Sequence, residues 1–175
     1  MKGHNSGVQA RLLEMNEKAL YIPCAAHSLN LALADGAKSS IPAISFFGTI
    51  NRLYVLFSSS PARWKIMTDN VPITVKAPSD TRWEARIDSV KPLRYCIENI
   101  IDALHQLEQY AIDKKDGSTA SEASSLTENI SSWPFIISIV VWNDILFQVN
   151  KTSKLLQSPS ETVDILSSEI TATID

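Results

Sequence analysis

No apolar stretch in this sequence is long enough to suggest a bilayer span. The longest, Trp133 to Trp142, is interrupted by Ser138 and falls well short of the ~20 residues a spanning helix needs. The opening Met1-Lys2-Gly3-His4-Asn5-Ser6-Gly7 lacks the apolar segment of a secretory signal. Cysteine is scarce: Cys24 and Cys96 cannot build a disulfide framework and fit a reducing compartment. The expectation is a soluble nuclear or cytoplasmic protein with no membrane partner, in which the sequons at Asn129 and Asn150 carry no meaning. The five glycines form no phosphate-cradling loop, which removes P-loop and dinucleotide-binding readings.

What is present is an ordinary globular composition, 45% hydrophobic and 20% charged over 175 residues, enough for one core. The net charge of −3 hides an asymmetry. Residues 1–50 hold four basic against three acidic side chains, and residues 51–94 hold eight against four. The remainder holds four lysines against twelve acids. Clustered Lys and Arg in the middle fit a phosphate backbone on one side, and they equally fit the solvated face of a helix.

Helical periodicity dominates. Ser60-Pro61, Ser132-Trp133-Pro134 and Ser158-Pro159-Ser160-Glu161 each place a serine before an early proline, a helix-start signal, and Thr81-Arg82-Trp83-Glu84 offers a capping box. Beyond it, Ile87, Val90, Leu93, Ile97, Ile100, Ile101, Leu104 and Leu107 form one apolar stripe on a long helix that Pro92 should kink. Phe46, Ile50, Leu53, Tyr54 and Phe57 form another stripe, and Phe135 to Val149 is apolar nearly all round, which predicts a buried helix. Residues 113–128 are polar and Ser-rich, a connecting loop or short surface helix. Only Leu20-Tyr21-Ile22-Pro23 resembles a strand, between a polar helix over 6–16 and another helix through Leu29, Leu31, Ala32 and Ala34. A lone strand needs partners from elsewhere.

Cys24 and His27 have the spacing of half a zinc site, but His4, Cys96 and His105 occur singly and supply no second pair. The plainer reading makes Cys24 a small buried apolar residue and His27 a helix-start residue. No third group is placed to orient a Cys-His nucleophile. Asp35, Asp69 and Asp80 have local accounts as helix-end, turn and helix-start residues, so no metal-binding carboxylate set is expected. Trp83, between Arg82 and Arg86 at a helix N-terminus, could stack a base while the arginines hold phosphates. Alternatively it packs in the core with the arginines outside.

Taken in order, Tyr21-Ile22-Pro23-Cys24-Ala25-Ala26-His27-Ser28-Leu29-Asn30-Leu31, Leu53-Tyr54 through Ser60-Pro61-Ala62-Arg63-Trp64, and Ser79-Asp80-Thr81-Arg82-Trp83 form a recognisable series. It resembles the hAT superfamily of transposases, particularly its animal branch of zinc finger MYM-type protein 1-like and DUF4371 proteins. Ile145-Leu146 through Asn150-Lys151-Thr152-Ser153-Lys154-Leu155-Leu156-Gln157 is similar to the same branch. Pro23 departs from it, standing where the family has His or another non-proline residue. The resemblance implies a ribonuclease-H-like core split by an all-helical insertion domain. It also implies a Mg-binding acidic triad, whose members lie outside the stretch matched here. The expected fold is therefore mainly α: a partial ribonuclease-H-like α/β core with one short strand over residues 1–40, and a helical insertion domain over 41–175. Cys24 and His27 match the family's CxxH pattern, and the position of Trp83 is implied to approach flipped DNA bases. The resulting expectation is a catalytically inactive transposase-derived fragment, without catalytic residues, metal or cofactor of its own. It would contact DNA through Arg82, Trp83 and Arg86 and associate with itself or a fuller copy, and the resemblance favours the nucleus. The rival expectation is a helical protein-interaction module with no nucleic-acid role.

Overall fold

The computed structural model describes residues 7–19, 24–79 and 82–157. The strand expected at Leu20–Pro23, Asp80 and Thr81 at the expected start of the long helix, and the helix start at Ser158 lie outside them. Among the described residues there is no strand, and the chain is mainly helical. In order come α1 (Val8–Met15), α2 (Ala25–Lys38), α3 (Ile41–Ser58) and α4 (Pro61–Asn70). After a loop follow a 3₁₀ turn (Trp83–Arg86), α5 (Ile87–Asp113), α6 (Gly117–Ile130) and α7 (Trp133–Leu156).

The helix starts follow local chemistry. Ser60 caps α4 by accepting a hydrogen bond from the Arg63 N–H at 3.3 Å, with Pro61 as the first helical residue. Ser40 does the same for α3 through Ala43, with Pro42 in the first turn. At α7 the serine–proline signal places the start correctly at Trp133, although Ser132 makes no side-chain cap bond. Asp116 caps α6 through the Thr119 N–H at 3.1 Å, just after Lys115 turns the chain with a φ of 59°.

The long stripe is realised on α5, where Ile87, Val90, Leu93, Ile100, Leu104 and Leu107 are buried. The kink differs from expectation. The backbone leaves helical geometry at Cys96, with φ −135° and ψ 30°, rather than at Pro92. Pro92 interrupts bonding near the helix start, where the 3₁₀ turn already tightens the chain, and the departure comes one turn later. As a result Cys96 turns inward and Ile97 is only partly buried, shifting the stripe by one residue.

Of the two readings of residues 113–128, the helix holds and the loop does not: Gly117–Ile130 form a helix, but one with a buried face rather than a surface helix. Ala123, Leu126 and Ile130 point into the core between α5 and α3. Small polar residues fill its outer face, so apolar spacing of three and four was masked by serine content. Around this core run two cross-helix ties. Arg52 on α3 makes a two-pronged pair with Glu122 on α6 at 2.9 and 3.0 Å. Arg63 on α4 reaches Thr119 Oγ1 at 2.6 Å and Asp116 Oδ2 at 3.1 Å.

A second correction concerns α7. It is helical as expected, yet only one face is buried, through Phe135, Ile139, Leu146 and Val149. Ile136, Ile137, Val140, Val141, Ile145 and Phe147 remain exposed, because α2, α5, α6 and the 3₁₀ turn all lie on the other side. By length and composition α3 and α7 are each long and apolar enough to cross a membrane, contrary to the reading of the apolar run alone, and each turns one face into this core. Ala34 and Ala37 of α2 share that core with α3 to α7.

Two outcomes follow from this packing. Leu126→Ala should lower stability in urea unfolding by about 2–5 kcal/mol, a full core truncation, whereas a surface helix would lose almost nothing. The Asp116 carboxylate is held below its usual pKa by the Thr119 hydroxyl and N–H and by Arg63. Its contribution is present above the ordinary carboxylate range and is lost as pH falls through the lowered value. Asp116→Asn should therefore be less stable than wild type at neutral pH, and the difference should shrink progressively in acid; a pH-independent difference would remove the charge from the account.

Candidate functional site

The three residues singled out for nucleic-acid contact are adjacent in sequence but occupy different environments. Trp83 is 4% exposed and belongs to the core. Its ring stands edge-on to Phe47 at 5.1 Å between centroids and lies 6.3 Å from Trp142. Its backbone N–H donates to Asn30 Oδ1 at 2.6 Å, which ties the 3₁₀ turn to α2. Its indole Nε1 is buried without a hydrogen-bond partner among the described residues. Arg86, one 3₁₀ turn later, is 7% exposed rather than outside the core. Its guanidinium carbon sits 3.8 Å from the Trp83 ring centroid and 4.6 Å from that of Phe47, and Nε donates to the Ser79 carbonyl at 2.7 Å. Only Arg82 is exposed, its N–H donating to Ser79 Oγ at 3.0 Å.

The core alternative for Trp83 thus describes its placement, with one modification: a cation lies inside beside it. A desolvated cation over an aromatic face is worth about 2 kcal/mol or more, and a charge-assisted bond adds roughly 1.5–3 kcal/mol. Both act against a desolvation cost of several kcal/mol for the guanidinium. Next to this stack a cavity of about 280 Å³ opens between α2, α3 and the 3₁₀ turn, lined by Lys38, Ile44, Phe47, Asn51, Trp83 and Arg86. It is near the small end of ligand-sized pockets. Because Trp83 Nε1 has almost no accessible surface, that donor is not presented to the cavity.

Cys24 caps α2 through its backbone, its carbonyl accepting from Ser28 N–H at 3.0 Å, and its side chain is exposed. This corrects the buried, apolar reading: the position lies before the first turn, ahead of Ala26, which faces inward. His27 is exposed on the first turn. Cys96 and His105 stand on α5, buried and exposed respectively. His4 lies outside the described residues. Among the described residues no group of three or more His, Cys, Asp or Glu side chains could hold a metal ion. Asp35 is exposed on α2, and Asp69 pairs with Lys65 at 2.9 Å on α4.

Asn30 and Phe47 are the site residues that motif reading missed. Asn30 could have been found, since it interrupts the small apolar face Ala26, Ala34, Ala37 with a polar side chain at helical spacing. Phe47 had no such mark, because nothing in α3 announces which aromatic will meet a distant arginine.

No family model matches the chain, and no solved structure matches it. It is similar to a human protein, the 52 kDa repressor of the inhibitor of the protein kinase, at 25% identity over 181 residues. The similarity covers 95% of this chain and 23% of that protein, so the chain spans about a quarter of the length of the relative it matches.

Asn30→Ala would strand the buried Trp83 N–H and should cost about 1–3 kcal/mol in urea unfolding. Arg82→Ala should cost less than about 0.5 kcal/mol, as for an exposed residue. Equal costs would contradict this division of roles.

Proposed function

We propose that this chain is a non-catalytic helical interaction module of hAT-transposase descent, acting through the outer face of α7. The descent rests on the ordered resemblance from Tyr21 to Gln157, and it carries with it the ribonuclease-H-like origin of residues 1–40. The carboxylates in hand are distributed over separate helices with local roles, which supports a part that binds rather than cuts. The observation that carries the proposal is the apolar face itself. Trp133 is 73% exposed and Phe147 55% exposed, with Ile137, Val140 and Val141 between them on a helix whose opposite side is core. Soluble proteins seldom leave a contiguous patch of this kind uncovered, and such patches mark binding surfaces. The acidic carboxy-terminal half disfavours a phosphate backbone there.

DNA contact is the second reading, favoured by the cavity where Lys38 and Arg86 flank an aromatic wall, with Arg82 exposed nearby. With Trp83 buried, contact would run through the cationic rim rather than through base stacking on the indole.

Two measurements on the folded chain separate these readings. An apolar fluorescent dye should bind the wild type, and Ile137→Asp with Phe147→Asp should abolish most of that binding without loss of helical circular dichroism. Labelled single-stranded and hairpin DNA, titrated across a salt series, should show no binding that Arg82→Ala or Lys38→Ala weakens. Salt-sensitive binding lost in both substitutions would transfer the function to the basic rim.

A further inference from the structure

The cavity beside the stack of Trp83 and Arg86 is kept open by a residue that no packing requires. Ile44, Phe47, Gly48 and Asn51 recur at helical spacing on one side of α3, and all four line it. Gly48 stands near the middle of the eighteen-residue α3, where glycine destabilises a helix relative to alanine. Glycine is needed in such a place when a neighbouring backbone comes close or when φ is positive. Neither applies: a Cβ built on Gly48 meets no atom within 4 Å, and no described glycine has a positive φ. Gly36 and Gly117 stand instead in the terminal turns of α2 and α6, where fewer intrahelical bonds depend on them. What the missing side chain achieves at position 48 is an unobstructed cavity.

The lining defines the chemistry of a ligand. Phe47, Trp83, Ala37 and Ala43 are buried residues that present their remaining surface to the cavity, so its floor is aromatic and apolar. The charge is of one sign: Lys38 and Arg86 are cations, and no described lining residue is acidic. Arg86 is engaged by its aromatic neighbours and the Ser79 carbonyl, so the charge offered to a ligand is that of Lys38. Lys38 is exposed and forms no ion pair among the described residues. The last turn of α2 and the first turn of α3 both border the cavity, and their dipole ends are opposite in sign, which leaves the side chains to set its polarity.

We propose that this cavity binds a small planar aromatic carboxylate. The ring lies against Phe47 and Trp83, and the carboxylate accepts from the Lys38 ammonium and the Asn51 amide. One ammonium and one amide match a singly charged, planar head, whereas a phosphate dianion calls for more donors than the lining supplies. A volume of about 280 Å³ admits a small ring system and excludes a dinucleotide. The cavity shares no lining residue with the outer face of α7, so this site and the interaction-module reading stand or fall separately.

The test is calorimetry and ligand-detected saturation-transfer NMR of the full chain with 2-naphthoate, and with 2-naphthamide as its uncharged counterpart. Wild type should bind naphthoate saturably, with a Kd on the order of 0.1–1 mM for so small a ligand, and naphthamide at least about fivefold more weakly. Gly48→Leu, which builds a side chain into the open space, should keep or raise the urea midpoint while weakening naphthoate at least about tenfold. Lys38→Met should lower naphthoate to the affinity of naphthamide and leave naphthamide unchanged. Ile137→Asp with Phe147→Asp should leave both affinities unaltered. A wild type that binds no naphthoate would overturn the site. Binding that survives Gly48→Leu, or that the paired α7 substitutions abolish, would place the ligand elsewhere and overturn it too. Equal affinity for the two probes would overturn the carboxylate. A lower urea midpoint in Gly48→Leu would show that the glycine serves packing and would remove the argument for the site. Displacement of naphthoate by hairpin DNA in a Lys38-dependent manner would assign the cavity to phosphates instead.

Discussion

The Arg86 guanidinium, 3.8 Å from the Trp83 ring centroid and 4.6 Å from that of Phe47, joins the 3₁₀ turn to α3, two parts of the chain that are far apart in sequence. Trp83 is fixed in turn by Asn30 on α2, and both Trp83 and Phe47 meet Trp142 on α7. A flat, weakly hydrated cation is the side chain best suited to lie between aromatic faces, and lysine in the same place would lose the stacking and the directed bond to Ser79. In the loop between α4 and the 3₁₀ turn, Val71 and Val75 are buried and Lys76 pairs with Asp88 of α5 at 3.3 Å. A residue expected to face nucleic acid is here committed to the core, and that commitment shapes the functional argument.

Once α2, α5, α6 and the 3₁₀ turn are gathered on one side of α7, no described residue covers most of its other side. The helix is rich in apolar residues around its circumference, and an inward face alone consumes only Phe135, Ile139, Leu146 and Val149. Evolution of a solitary surface helix would place polar residues at Trp133, Ile137, Val140 and Phe147. Their apolar character is consistent with a surface selected to be buried by something else.

The 25% identity to a human repressor protein covers nearly all of this chain and under a quarter of that relative. Helical segments of this kind, rich in cross-helix aromatic contacts, retain a core under extensive sequence change because volume and pattern constrain them more than identity does.

The sequence by itself determined the helical class, the starts of α4 and α7 from serine–proline pairs, and the inward stripes of α3 and α5, since those depend on periodicity and capping within a few residues. It disguised α6, whose serines imitate a loop while Ala123, Leu126 and Ile130 hold the helical spacing. Tertiary structure alone decided the rest. Periodicity says that α7 has apolar residues on every side but not which side finds neighbours, and motif order places Arg82, Trp83 and Arg86 together but not which of them faces water. Those outcomes depend on contacts between residues dozens of positions apart, such as Asn30 with Trp83 and Phe47 with Arg86, which no local pattern encodes.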